Sequence, residues 1–283
     1  MTEETTVKQI IVGYGAHPHS ALALGWAAAL AKRVNAHVTV ASVYAPGYAE
    51  MSTDDYQRHL AQREQEVTDI LQRVGHADVD AVTFDGEGAS DLLNYAEEHG
   101  ADLIVVGHHD AHGPGGFGEN GASETLLRHS SIPFVAVGHD GTYRLPSDDP
   151  VTIVVGIDGS LANEAAVDWI AGLAAELGAA TVPVLSVNTG ASTSRGHHGT
   201  HLLDEKAAAE VAARLPGRPS LENINEAPVT GLLDAAKEHD AAMIAIGTRG
   251  HFSLDDLFSG QITRHVIHRS DRPVLVVPHP SHD

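Results

Sequence analysis

The segment best equipped for chemistry is Gly247-Thr248-Arg249-Gly250, followed after nine residues by Gly260-Gln261-Ile262-Thr263. It directly follows an apolar run that ends at Gly247, so it lies where a strand gives way to a loop. Gly247 and Gly250 permit positive φ angles and close backbone approach, and a helix opening at Gly260 would offer free N–H groups to an anion. The chemistry this favours is phosphate binding, done mostly by backbone donors with Arg249 as the one obvious cation. No G-x4-G-K-[ST] is present, so the lysine and Mg²⁺-binding hydroxyl of a P-loop NTPase are missing and fast hydrolysis lacks its usual parts. Arg249 could stabilise charge on a phosphoryl group in transit, but holding phosphate is the simpler role for it.

Other chemistry is less well supported. His108, His109, Asp110 and His112 form one cluster, and His197, His198 and His201 another. Imidazole and carboxylate are good metal ligands, yet adjacent histidines do not converge by spacing alone, and a chain with 20 histidines produces clusters by chance. No metal site is expected. Ser20 and Ser160 fit turn or helix-entry positions better than nucleophiles, since no His-Asp partner is set near either. His251 reads as a solvated loop residue or a phosphate contact. The chain has no cysteine, which excludes thiolate ligands, disulfides and cysteine nucleophiles.

The elements that must position the glycine loop come from an internal repeat. Gly13 and Gly156 each close an apolar run, and Trp26 and Trp169 keep the same offset of 143 residues. Later pairs, Leu92-Leu93 with Leu232-Leu233, Gly107 with Gly247 and Pro133 with Pro273, keep an offset of 140. Residues 1–139 and 151–283 therefore read as two domains, joined by the polar, turn-rich linker 140–150. In each half, short β-branched runs alternate with helical patterns, the signature of βαβ units and a parallel sheet. In the second half, strands are expected near 152–157, 181–187, 221–225, 242–247 and 274–277. A helix capped by Asn163, carrying Ala166, Trp169, Ile170, Leu173 and Leu177 on one face and closed by Gly178, should follow the first of them. Pro183 cannot donate to a ladder and should mark a strand start or a bulge. Right-handed crossovers then give a doubly wound, five-stranded parallel sheet in each half, an α/β fold. Residues 56–74 and 202–215 read as amphipathic helices with solvated charged faces.

The layout G-x2-G-x9-G resembles the nucleotide-binding signature of the universal stress protein family. Val154-Val155-Gly156-Ile157-Asp158-Gly159-Ser160 is similar to that family's first strand and turn, and Arg272-Pro273-Val274-Leu275-Val276-Val277 to its last strand. With the repeat, the resemblance covers nearly the whole chain, as a tandem member with Rossmann-like domains. It implies an adenine nucleotide (ATP, ADP or AMP), with Mg²⁺ as a companion ion, held in the second domain. Asp158, between Ile157 and Gly159, would lie beside the ribose and adenine, and the Val187 backbone would meet the adenine edge. Gly247, Arg249, Gly250, Gly260, Gln261, Ile262 and Thr263 would surround the phosphates. Gln261 departs from the family, which usually has Ser or Thr there; it is longer, and its amide could either crowd a terminal phosphate or donate to it. The resemblance further implies that the last strand of each half pairs across a dimer, giving an internal pseudo-dimer and leaving a homodimer open.

The first half departs further. Gly250 becomes Asp110, Gly260 becomes Asn120, and Asp158 falls opposite Gly15; shifting by one residue lets Gly121-Ala122 stand for the third glycine, but Asp110 remains. A carboxylate facing phosphate oxygens repels them, so the first half is expected to bind nucleotide poorly. Lys+Arg of 17 against Asp+Glu of 38 gives a net charge of -21, which repels polyanions and argues against a nucleic acid partner. No apolar run is long enough for a membrane span and Met1 to Lys8 has no secretory pattern, so a cytoplasmic stress-response protein is expected. An alternative is a slow ATPase or nucleotidyl hydrolase in which Asp158 or His251 orients water; a third is a scaffold without ligand.

Overall fold

The structure, a computed structural model, describes residues 7–15, 18–44, scattered positions between 52 and 72, 79–85, 88–108, 121–138, 150–158, 161–186, 205–217, 219–224, 226–248 and 259–278. These fall in two compact units, one within Thr6–Ser147 and one within Asp148–Asp283. In the first unit the order is β1 (Gln9–Gly13), α1 (Pro18–Val34), β2 (His37–Tyr44), β3 (Val79–Asp85), α2 (Ala89–Glu98), β4 (Leu103–Gly107), α3 (Ala122–His129) and β5 (Phe134–Val137). The described positions between 54 and 72 are also helical and mostly exposed. In the second unit it is β6 (Thr152–Gly156), α4 (Leu161–Leu177), β7 (Ala180–Ser186), α5 (Glu205–Ala212), β8 (Glu222–Ile224), α6 (Pro228–Glu238), β9 (Met243–Thr248), α7 (Ser259–Arg269) and β10 (Val274–Pro278).

Within the first unit the strands lie in the order β3-β2-β1-β4-β5, and within the second β8-β7-β6-β9-β10, with parallel pairing in both. Parallel neighbours require crossovers, and winding outward in both directions from β1 or β6 covers both faces of the sheet with helices. Strands covered on both faces bury every side chain, which is why Ile10-Ile11-Val12, Leu103-Ile104-Val105, Ile153-Val154-Val155 and Met243-Ile244-Ala245 are uniformly apolar and buried. Each such Ile or Leu contributes ~1.5–3 kcal/mol relative to exposure.

Local detail repeats with the sequence. Asn35 and Gly178 follow α1 and α4 with φ of 56° and 59°, and Gly100 and Asp240 follow α2 and α6 with φ of 63° and 45°. Ser130 and Ser270 close the same turn: each hydroxyl donates to the carbonyl two residues on (Ile132, Arg272) and accepts that residue's N–H.

Two local expectations need correction. The helix α4 begins at Leu161, so Asn163 lies inside its first turn rather than at its cap. Pro183 is neither a strand start nor a bulge; it sits inside β7 in register with Val155. Backbone bonds of Ala180 and Val184 point to the β6 side, so in a parallel ladder the intervening odd residues point to β8. Pairing with β8 starts only at Val184 opposite Glu222, so the missing N–H of Pro183 falls just ahead of that ladder, where no donor is needed.

Candidate functional site

In the second unit, β6 lies between β7 and β9, with Gly156 opposite Val184 on one side and Ile246 on the other. The winding direction reverses between β6 and β9, and the crevice at the carboxyl ends of such strands is where open α/β sheets take ligands. Ile157 and Asp158 leave β6 at this edge. The Ile157 N–H donates to the Val184 carbonyl at 2.9 Å and its side chain is buried, which pins the turn and leaves Asp158 exposed beside it. Gly247 is the fifth residue of β9, in register with Val277 of β10. The helix α7 opens at Ser259, so Gly260 and Gln261 lie in its first turn with N–H groups that have no intrahelical acceptor. Gln261 is exposed, Ile262 half-buried, and Thr263 is 2% exposed. Thr263 thus lies on the packed side of α7. Gly159, Val187, Arg249, Gly250 and His251 lie outside the described residues.

The arrangement supplies one carboxylate, one glycine-edged strand end and one helix N-terminus on a single sheet edge. That combination suits a ligand with hydroxyls at one end and an anion at the other.

The first unit carries a cleft at the equivalent edge. It is open to solvent and holds about 80 Å³ of space for water-sized molecules. The ends of β1 (Gly13, Tyr14, Gly15), β2 (Ala41, Val43) and β4 (Val106, Gly107) meet there with the starts of α1, α2 and α3. Asp102 holds β1 against β4 by accepting the N–H groups of Lys8 and Gln9 at 2.8 and 2.9 Å, which fixes Gly13 beside Val106 at the rim. The Gly15 N–H donates to the Ser20 hydroxyl at 3.0 Å, tying the turn after β1 to α1. Gly88 opens α2 at φ 104° and ψ -123°, a conformation reserved for glycine.

Two glycines shape the cleft by close approach. A methyl group added at Gly107 would stand 2.6 Å from the backbone carbon of His19, and one at Gly13 would stand 2.6 Å from Leu92 Cδ2. At Gly156, the counterpart of Gly13, the nearest Leu232 carbon would be 3.4 Å away. Behind the rim, His108 Nδ1 and the Ser123 hydroxyl form a buried hydrogen bond of 2.8 Å. His108 therefore packs against α3; His109, Asp110, His112, His197, His198 and His201 lie outside the described residues. Among the described residues, no group of His, Asp and Glu is placed to hold a metal ion, and no helix is long and apolar enough to cross a membrane.

Sequence reasoning matched Leu92 with Leu232 through the repeat but gave Tyr14, His19, Ala41 and Val43 no role. Their only shared signal is position, each near the end of a strand or the start of a helix at one edge.

The sequence model described as the universal stress protein family matches residues 6–138 and again residues 151–278. A universal stress protein of Mycolicibacterium smegmatis is 26% identical over 301 residues, covering 98% of this chain and 99% of that protein. Among solved structures, a universal stress protein from Archaeoglobus fulgidus superposes with a TM-score of 0.69 at 18% identity, covering 97% of both chains. A functionally unknown protein from Pseudomonas aeruginosa superposes with a TM-score of 0.64 at 15% identity, covering 99% of this chain and 95% of that one.

Proposed function

This chain belongs to the universal stress protein family, and on that premise we propose that its second unit holds an adenine nucleotide as a regulatory or stabilising ligand. The observation that carries the reading is the single edge on which exposed Asp158 leaves β6, Gly247 follows β9's buried run, and α7 opens at Ser259. A ribose needs a hydrogen-bond acceptor, which Asp158 supplies. Phosphates need donors, which the first turn of α7 supplies, and Gly247 leads into the loop with Arg249 and Gly250. Mg²⁺ would accompany a di- or triphosphate. The proposed domains are residues 1–139 and 151–283, with the nucleotide in the second only, in a protein of the cytoplasm.

Native mass spectrometry of the purified protein, then calorimetry with ATP and AMP, tests this. One nucleotide per chain is expected, with binding lost in Gly250→Asp. Two nucleotides per chain, or none, would overturn it. Phosphate release that depends on Gly250 would move the reading to a slow hydrolase.

A further inference from the structure

We infer that the C-terminal end of α2, in the first unit, is a docking surface for an arginine-bearing segment of a basic partner protein. This goes beyond the nucleotide proposed for the second unit and does not depend on it.

A histidine closes the same helix in both copies, and the two rings have different surroundings. In the second unit, His239 Nε2 lies 3.1 Å from a carboxylate oxygen of Glu222 on β8, so an internal acid takes that ring nitrogen. In the first unit Val82 stands at the position of Glu222. The register shows the match, since Val82 lies opposite Ala41 of β2 and Glu222 opposite Val184 of β7. Without that acid, His99 stacks on Tyr95 with ring centroids 3.9 Å apart and planes at 21°. The second unit has Ala235 at the position of Tyr95 and does not build this stack.

The His99 Nδ1 lies 2.8 Å from the Tyr95 carbonyl oxygen. A carbonyl only accepts, so Nδ1 carries the proton, and in the neutral ring Nε2 remains an acceptor on an exposed side chain. Stack and hydrogen bond together hold the ring in one orientation. The same helix carries Asp91, Glu97 and Glu98 and no basic residue, whereas Lys237 takes the place of Glu97 in α6. Glu97 and Glu98 are exposed beside His99.

A flat ring with an acceptor nitrogen, set among carboxylates, matches a guanidinium. That group is planar, lies on aromatic faces and donates through a rigid fork; an ammonium pairs with the carboxylates but has no plane to stack. The net charge of -21 draws basic chains from a distance, and the stack decides where an arginine settles.

Titrating the full chain with hexa-arginine and hexa-lysine, two peptides of similar charge, tests this. Calorimetry reads affinity and backbone amide NMR reads location. Hexa-arginine is expected to bind about two- to fivefold tighter, with its largest shifts at residues 95–100. Tyr95→Ala, which matches Ala235 of the second unit, is expected to bring hexa-arginine down to the affinity of hexa-lysine. His99→Ala, at an exposed position, is expected to do the same and serves if Tyr95→Ala does not fold, as judged by thermal unfolding. The inference is overturned if hexa-arginine does not bind, if the two peptides bind alike, or if the shifts spread over the acidic surface. It is equally overturned if a folded variant keeps the preference. Shifts at α2 that follow protein concentration without peptide would make a second copy of this chain the occupant and overturn it too.

Discussion

Single residues carry two kinds of information here, and only one kind is written in residue type. Arg272 stood in the sequence as the start of a last-strand motif, yet in the fold its guanidinium is 2% exposed, donates to the Ala241 carbonyl at 2.8 Å and meets Asp271 at 2.8 Å. That role ties the entry of β10 to the entry of β9 and depends on a contact 31 residues away, which no local pattern encodes. Arg272→Met should keep the packing but strand the carbonyl, lowering stability by roughly 1–3 kcal/mol in urea denaturation. Thr181 is the opposite case: it is buried in β7, and its hydroxyl has no hydrogen-bond partner among the described residues. Thr181→Val should leave stability unchanged or raise it by up to about 1–2 kcal/mol, since a polar atom without a partner is removed at constant shape. A loss of stability would mean that the hydroxyl has a partner in solution.

At the scale of elements the sequence was most legible, because apolar periodicity and the repeat report on the same strands. The expected strands at 152–157, 242–247 and 274–277 match β6, β9 and β10 to within a residue or so. Boundaries were less legible where the deciding partner is remote. Pro183 is tolerated because β8 starts late, and α4 starts two residues ahead of Asn163. Helix ends can be tested directly, since Asn35 and Gly178 occupy the same left-handed position in the two copies. Nothing lies within 4 Å of a methyl placed on Gly178, so any cost of substitution there is conformational. Gly178→Val should destabilise by roughly 1–2 kcal/mol, with Gly178→Asn costing clearly less. Thermal unfolding of the pair checks the ranking; equal losses would show that crowding, not backbone conformation, sets the cost. The ion pairs of Arg214 with Glu164 and Asp168, which tie the turn after α5 to α4, are about two-fifths exposed. Arg214→Ala should cost no more than about 1 kcal/mol, and less as salt is raised.

At the scale of the whole molecule, two readings were available from composition and repeat alone: a strongly acidic surface and two domains of one kind. With 20 histidines against a net charge of -21, protonation near histidine's reference pKa of ~6.5 removes most of the net repulsion between molecules. Solubility should therefore fall from pH 7 toward pH 5, and light scattering along that titration should rise; a flat trace would count against it. What the repeat could not convey is which of its shared glycines serve a ligand. The tight seat of Gly107 on the His19 backbone would exist with or without anything bound. The first glycine of G-x2-G therefore survives in a half whose second has become Asp110. In this chain, therefore, the opening glycine of the signature does not tell the two halves apart; the second position, Gly250 against Asp110, does.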